Sequence, residues 1–301
     1  TPQKRLCDFV EGNKEGVKME KIRRNSLLYR SKVEYADFCI NHVEGCAHGC
    51  RYPCYAMLMA KRFGRIKAYP DWLKPKLVEN ALELLDEEIP RYKDQIKFVD
   101  LCFTTDPFME GYPEVGEMTL KIIEKLNANG IRCVVLTKGI YPKELINATK
   151  YGVKNEYGIT LVSLDPQFKK TYEPYAAPFF QRIKALKQLH DAGLKTWVSM
   201  EPYPTPNLIE QDLTKLLESV SFVDKIVFGR LNYNAQSENY PDSASIYEKC
   251  AKTAVGFCKK QKISCHIKFG TQKEYNPATK TLFRGHMDIK NANQNALCTI
   301  S

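Results

Sequence analysis

Three cysteines, Cys46, Cys50 and Cys54, fall four residues apart in the stretch Gly45-Cys46-Ala47-His48-Gly49-Cys50-Arg51-Tyr52-Pro53-Cys54-Tyr55. On a helix this spacing would place all three on one face. Gly45, Gly49 and Pro53 interrupt the stretch and argue for a loop instead. A glycine-bearing loop can curl its thiolates towards one point, and soft thiolates from one loop suit an iron–sulfur cluster or zinc. A cubane held by only these three thiolates would leave one iron open for another ligand. Zinc would use Cys46, Cys50, Cys54 and His48.

The rest of the chain must position that loop. It has 301 residues, 44% of them hydrophobic, which is enough for one sizeable core. No apolar run approaches ~18 residues, so no membrane span is expected. Thr1-Pro2-Gln3-Lys4-Arg5 leads into no apolar stretch of signal-peptide type. Eleven cysteines with only three clustered do not read as a disulfide framework, and a reducing cytoplasm is expected. The net charge of +10 allows an anionic partner without demanding one. The densest basic stretch, Lys61-Arg62-Phe63-Gly64-Arg65-Ile66-Lys67, lies just downstream of the cysteines, and a smaller one is Lys21-Ile22-Arg23-Arg24. Either can be a solvated face or a phosphate-contacting rim beside the site.

Residues 1–36 are polar and read as an N-terminal extension. Strand patterns follow at Phe38 to Val43, Ile96 to Phe103, Ile131 to Leu136, Tyr157 to Ser163, Leu194 to Met200, Lys225 to Phe228 and Ile263 to Phe269. Between them, helical patterns run from Tyr55 to Arg62, from Pro75 to Ile89-Pro90, from Pro113 to Gly130, from Lys143 to Tyr151 and from Pro178 to Gly193. Asn207 with Glu210, and Ser245 with Glu248, read as capping pairs of two further helices. Strand starts from the second onward recur every ~26 to 38 residues, the length of a βα unit, so the sheet is expected to be mostly parallel. Six or seven such units make a doubly wound sheet or a partial barrel, with function at the carboxyl ends of the strands.

Those ends carry the cysteine loop, then Thr104-Thr105-Asp106-Pro107, Thr137-Lys138-Gly139, Ser163 before Leu164-Asp165-Pro166, Ser199-Met200-Glu201-Pro202 and Gly229-Arg230-Leu231-Asn232. Each alone reads as an ordinary turn. Their recurrence at one rim suits a charged ligand.

The cysteine motif resembles the radical SAM signature C-x3-C-x2-C with an aromatic before the third cysteine; here Pro53 is inserted after Tyr52. The layout resembles the radical SAM partial (β/α)6 barrel over roughly residues 38–232. Within that superfamily it is similar to spore photoproduct lyase-like proteins. The matching stretches are Tyr35-Ala36-Asp37-Phe38 leading into the cysteine loop, Thr104-Thr105-Asp106-Pro107, Thr137-Lys138, Glu173-Pro174 with Arg182 to Gly193, and Ser199-Met200-Glu201-Pro202. The fold class expected is α/β, a partial barrel over 37–232 with an N-terminal extension (1–36) and a C-terminal helix/strand extension (233–301) packed on it.

The resemblance implies that Cys46, Cys50 and Cys54 hold a [4Fe–4S] cluster whose open iron takes S-adenosylmethionine (SAM). It implies that Thr104, Thr105 or Asp106 meets the SAM amino group and that Lys138 pairs with its carboxylate. Ser163 and Glu201 would contact ribose or methionine polar atoms, and Tyr52 would lie against the adenine or brace the loop. Reductive cleavage of SAM would give a 5′-deoxyadenosyl radical that takes hydrogen from a substrate. A flavodoxin-like or ferredoxin-like reductant is implied.

Spore photoproduct lyases place a hydrogen-donating cysteine three residues before the aspartate of a C-T-S-D stretch. Here Phe103 holds that place and Cys102 stands one residue earlier. One residue along a strand turns a side chain to the opposite face, so Cys102 reads as a packed thiol. Cys133, Cys250, Cys258 and Cys265 read as small buried hydrophobes, leaving a single cluster. The favoured reading is a radical SAM enzyme acting on a nucleotide or nucleic acid. The alternatives are the same chemistry on a small metabolite or peptide, a zinc-stabilised binding protein, and a SAM-dependent methyltransferase, against which stands the lack of a G-x-G-x-x-G after a strand.

Overall fold

The computed structural model describes residues 19–31 and 36–272. Tyr35, the first eighteen residues and the tail with Cys298 lie outside the described residues. The strands are β1 (Glu20–Ile22), β2 (Leu28–Arg30), β3 (Phe38–Ile40), β4 (Val43–Glu44), β5 (Lys76–Val78), β6 (Val99–Leu101), β7 (Cys133–Thr137), β8 (Glu156–Thr160), β9 (Lys195–Tyr203), β10 (Lys225–Arg230) and β11 (Ser264–Ile267).

One sheet runs β2-β3-β6-β7-β8-β9-β10-β11. Every neighbouring pair from β3 to β11 is parallel, and β2 lies antiparallel to β3. From β6 onward the order in space follows the order in the chain. Crossovers of one hand then put all the helices on one face, and the sheet curls around the other as an open, partial α/β barrel. A small sheet, β1-β5-β4, flanks it.

The strands alternate in a way that suits this curl. Val99 and Leu101, Cys133 and Val135, Tyr157 and Ile159, Val198 and Met200, and Ile226 and Phe228 pack into one core with the outer helices. The residues between them, among them Asp100, Glu156, Gly158, Trp197, Ser199 and Lys225, face inwards by the period of two. The inward face therefore mixes polar side chains with Val134, Trp197 and Val227.

Two helices hold the bounds read from the sequence: Tyr55–Arg62 and, opening at Pro113, Pro113–Ala128. Others differ for identifiable reasons. Pro75 does not open a helix, because Leu77 and Val78 are taken up by β1 and β4 through backbone pairing. The helix is Ala81–Tyr92 and runs past Pro90. Asn207 caps nothing; its Nδ2 donates to the Gln236 carbonyl, and Asp212 caps the helix Leu213–Glu218 instead. The last long helix starts at Ser243, ahead of Ser245.

Gly158 sits beside Trp197 in the register of β8 and β9. A Cβ on Gly158 would fall 2.3 Å from the indole Cε2. Gly158→Ala should therefore overpack the barrel interior and lower the unfolding free energy by about 1–3 kcal/mol, read from urea unfolding of the variant beside the parent.

Candidate active site

The cysteine loop leaves β4 through two backbone constraints. Gly45 has φ +85°, and a Cβ there would lie 2.8 Å from the Trp72 carbonyl oxygen, which accepts the Cys46 amide at 2.9 Å. Gly49 has φ +68°, and a Cβ there would lie 2.5 Å from the Tyr175 ring. Glycine alone meets both demands, left-handed backbone and close approach. The Tyr175 amide donates to the His48 carbonyl at 3.1 Å, the Arg51 amide to the Tyr172 carbonyl at 2.9 Å and the Tyr69 hydroxyl to the Cys50 carbonyl at 2.8 Å. The residue added by Pro53 is absorbed at the third ligand: Cys54 becomes the N-cap of the helix Tyr55–Arg62, and its carbonyl accepts the Leu58 amide at 3.0 Å.

All three thiols are part-buried. Burial pushes the Cys46 thiol well above its usual range, with Asp106, Cys50 and Cys54 adding their negative charge, and pushes Cys50 up to about 11. Among the described residues, no three His, Cys, Asp or Glu side chains stand close enough to hold a single metal ion. His48 turns to Asp106, its Nε2 2.8 Å from Oδ2, so the four-ligand zinc set is not assembled. The donor set fits a polynuclear cluster, whose separate irons take wider-set thiolates than tetrahedral zinc does.

Asp106 follows β6 and lies next to the cysteine loop. It is 4% exposed, and both of its oxygens are occupied. Oδ1 accepts from the Thr137 hydroxyl at 2.6 Å and the Phe108 amide at 2.9 Å, and Oδ2 accepts the Lys138 amide at 2.7 Å and faces His48. Burial would raise this carboxyl, but His48 and those hydrogen bonds outweigh it and hold Asp106 below the usual range. Three hydrogen bonds and the His48 contact hold this carboxylate in one orientation. Asp106 is a positioning residue that ties β6, β7 and the cysteine loop together. Beside it, the Thr105 hydroxyl is buried without a hydrogen-bond partner among the described residues. The Thr104 amide donates to Asn41 Oδ1 at 3.0 Å.

On the other side of the loop lies a second buried carboxylate, Glu173, which the sequence analysis places in a matching stretch without a role. Its Oε2 accepts from Arg182 at 2.7 Å, its Oε1 from the Tyr52 hydroxyl, and Lys138 Nζ stands 3.8 Å from Oε1. Burial would raise Glu173, but Arg182 first and Lys138 next pull it down to about 2. Arg182, 1% exposed, also donates to the carbonyls of Ala177 at 2.7 Å and Thr160 at 2.9 Å. A signal for it existed: Arg182 shares the buried helix face of Ala185, Leu186 and Leu189, and a charge on such a face requires a buried partner. Tyr52 is thereby a brace for the loop, with Lys138 Nζ 5.6 Å from its ring centroid. Ser163 accepts the Asp165 amide at 3.0 Å, and Glu201 pairs with Lys268 at 2.7 Å. Cys102 is buried with φ +54°, its sulfur 3.4 Å from His42 Nδ1.

The sequence profile of the radical SAM superfamily matches residues 40–220. The chain belongs to the radical SAM superfamily. Two relatives, both uncharacterized, are similar along most of their length. ORF301 of Acidianus two-tailed virus is 26% identical over 218 residues, 65% of this chain and 69% of the relative. MJ0683 of Methanocaldococcus jannaschii is 26% identical over 237 residues, 76% and 86% of the two chains. The radical SAM fold is shared with spore photoproduct lyase complexed with a dinucleoside spore photoproduct, at TM-score 0.62 and 16% identity over 82% of this chain and 80% of that one. The partial barrel and its membership of an enzyme superfamily are thus as the sequence suggested. Among the described residues no helix is long and apolar enough to cross a membrane.

Two predictions follow the radical SAM loop's braces. Arg182→Met leaves Glu173 charged and buried, and should lower stability by about 3–5 kcal/mol in urea unfolding. The depressed Glu173 carboxyl stabilises the fold above its usual pKa of 4.5, and that contribution is lost as pH falls through about 2. Glu173→Gln should accordingly lose stability at neutral pH and show a shallower decline than the parent between those two pH values.

Proposed function

We propose that Cys46, Cys50 and Cys54 hold a [4Fe–4S] cluster and that SAM binds between the cluster and the strand ends of β6 to β9. Held there, the reduced cluster would supply the electron for reductive cleavage of SAM, the chemistry that starts hydrogen abstraction from a substrate. The residues of this chain position and shield. Lys138, held beside Glu173, pairs with the SAM carboxylate. Thr104, Thr105 or Asp106 receives the amino group. Ser163 and Glu201 serve the ribose or methionine polar atoms, with Lys268 fixing Glu201. The buried wall of Tyr52, Val162, Phe168 and Leu231 excludes water from one side of Cys50. A flavodoxin-like or ferredoxin-like protein supplies the electron. The division of the chain at residues 36 and 232, and a cytoplasmic location, belong to the same reading.

The substrate we propose is a nucleotide within a nucleic acid. The observation that carries this is a stacked, exposed aromatic pair: Tyr55, the residue after Cys54, and Tyr233 lie 6.4 Å apart at 29° and are 40% and 43% exposed. Arg62 and Lys268 act electrostatically on the Tyr55 phenol, and Lys268 reaches Glu201. Exposed rings flanked by cations are the recognition chemistry of unstacked bases and their phosphates. Phe63, 58% exposed, lies within the basic stretch 61–67 at the other end of the helix Tyr55–Arg62.

Under anaerobic reduction with SAM, the reconstituted protein should form 5′-deoxyadenosine, and a Cys46/Cys50/Cys54→Ala variant should not. A colourless protein that leaves SAM intact overturns the cofactor assignment. Separately, single-stranded oligonucleotides should bind more weakly as salt rises, and Tyr55→Ala with Tyr233→Ala should weaken binding roughly tenfold. A lack of oligonucleotide binding at low salt in a protein that still cleaves SAM would reject the nucleic-acid substrate alone.

A further inference from the structure

The barrel has a cavity at the end away from the cysteines. It measures about 380 Å³ and is lined by Phe98, Arg132, Glu156, Trp197, Lys225 and His266, among others. Glu156, Lys225 and Ser264 are the first residues of β8, β10 and β11, so this is the amino-terminal mouth of the barrel. Phe98 and Arg132 stand just before β6 and β7.

The cavity is rich in donors and poor in acceptors. Glu156 Oε1 accepts from Arg132 at 2.8 Å and Oε2 from Lys225 at 2.9 Å. One carboxylate thus meets two permanent cations, and the trio carries a net positive charge. A guanidinium has five N–H donors and an ammonium three, far more than these two hydrogen bonds use. Trp197 adds another: it is 4% exposed, lines the cavity, and its Nε1 has no hydrogen-bond partner among the described residues. A buried donor left unpaired costs about 1–3 kcal/mol, so the site favours a ligand that only accepts.

The surroundings hold these donors in place. The indole lies against Gly158, whose missing Cβ would fall 2.6 Å from Nε1, and Lys225 Nζ stands 5.1 Å from the indole ring. Arg132 lies 4.6 Å from the Phe98 ring centroid. Both cations are therefore fixed over aromatic faces with donors to spare. Asp100, on the same inner face beside Val134, is 4% exposed. Its Oδ2 has no hydrogen-bond partner among the described residues, and burial pushes the carboxyl up to about 7, so its full negative charge opposes an anion only above neutral pH.

We infer that this cavity is a binding site for a small oxyanion, free phosphate or a phosphate monoester, held by Arg132, Lys225 and the Trp197 indole N–H. The site is separate from the SAM-binding rim and does not rest on the substrate proposed above.

The test is isothermal titration of the cluster-loaded, SAM-saturated full chain at low ionic strength, with inorganic phosphate and glycerol phosphate in separate arms. One saturable site is expected in at least one arm, and the tighter arm identifies the source. Lys225→Gln and Arg132→Gln should each weaken binding about tenfold, since each removes a charge-assisted donor. Trp197→Phe, which keeps the ring and removes the N–H, should weaken it about fivefold. Glu156→Gln removes the competing carboxylate and should tighten binding about tenfold, a gain that misfolding cannot imitate. Absence of saturable binding at millimolar phosphate overturns the assignment. So does binding that Lys225→Gln, Trp197→Phe and Glu156→Gln all leave unchanged, which would mean an ion held elsewhere.

Discussion

The structure around the cysteines depends on one buried ion pair, Glu173 with Arg182. Ionised groups this deep are tolerated only when they are paired and hydrogen-bonded, and here both are. Arg182 binds Glu173 and the carbonyls of Thr160 and Ala177, while Glu173 also takes the Tyr52 hydroxyl and faces Lys138. Four separate pieces of chain meet at one charge pair: the cysteine loop, the end of β7, the end of β8 and the helix Phe179–Asp191. A network of this kind adds little net stability over an apolar core of the same shape, but it disfavours other arrangements strongly. That is the property a loop needs if three thiolates are to stay in register.

Asp106 performs the matching task from the opposite side. Its bonds to Thr137, to the Lys138 and Phe108 amides and its contact with His48 join β6 and β7 to the loop. Lys138 is thus gripped twice, by its amide through Asp106 and by its ammonium through Glu173. Two buried carboxylates serve orientation, and the proposed reading leaves hydroxyls and a lysine for the ligand. Radical chemistry makes sense of this economy, because the binding surface has to be rigid and water has to be kept out.

The alternation of the parallel strands supplies both proposed sites from one pattern. The outward set builds the core against the helices, and the inward set is free to be polar. At the carboxyl ends that inward set meets the loops and makes the active-site rim. At the amino ends it makes the Arg132–Glu156–Lys225 group beneath Trp197. Gly158 is the position where the two demands touch, since only a missing side chain lets the indole cross the interior.

Local features were legible in the sequence because they need no distant partner. The cysteine spacing, the glycines that permit a curled loop, the parallel βα order and the helices Tyr55–Arg62 and Pro113–Ala128 all follow from conformational preference and periodicity. Tertiary structure decided whatever depended on a hydrogen-bond partner far along the chain. Lys76–Val78 became a strand because β1 and β4 offered backbone partners. Asp106 became a brace because Thr137, Lys138 and His48 converge on it from other loops. Glu173 and Tyr52 are 121 residues apart, and no local rule links them. Periodicity fixed which residues face inwards; only the closing of the sheet fixed which of them meet.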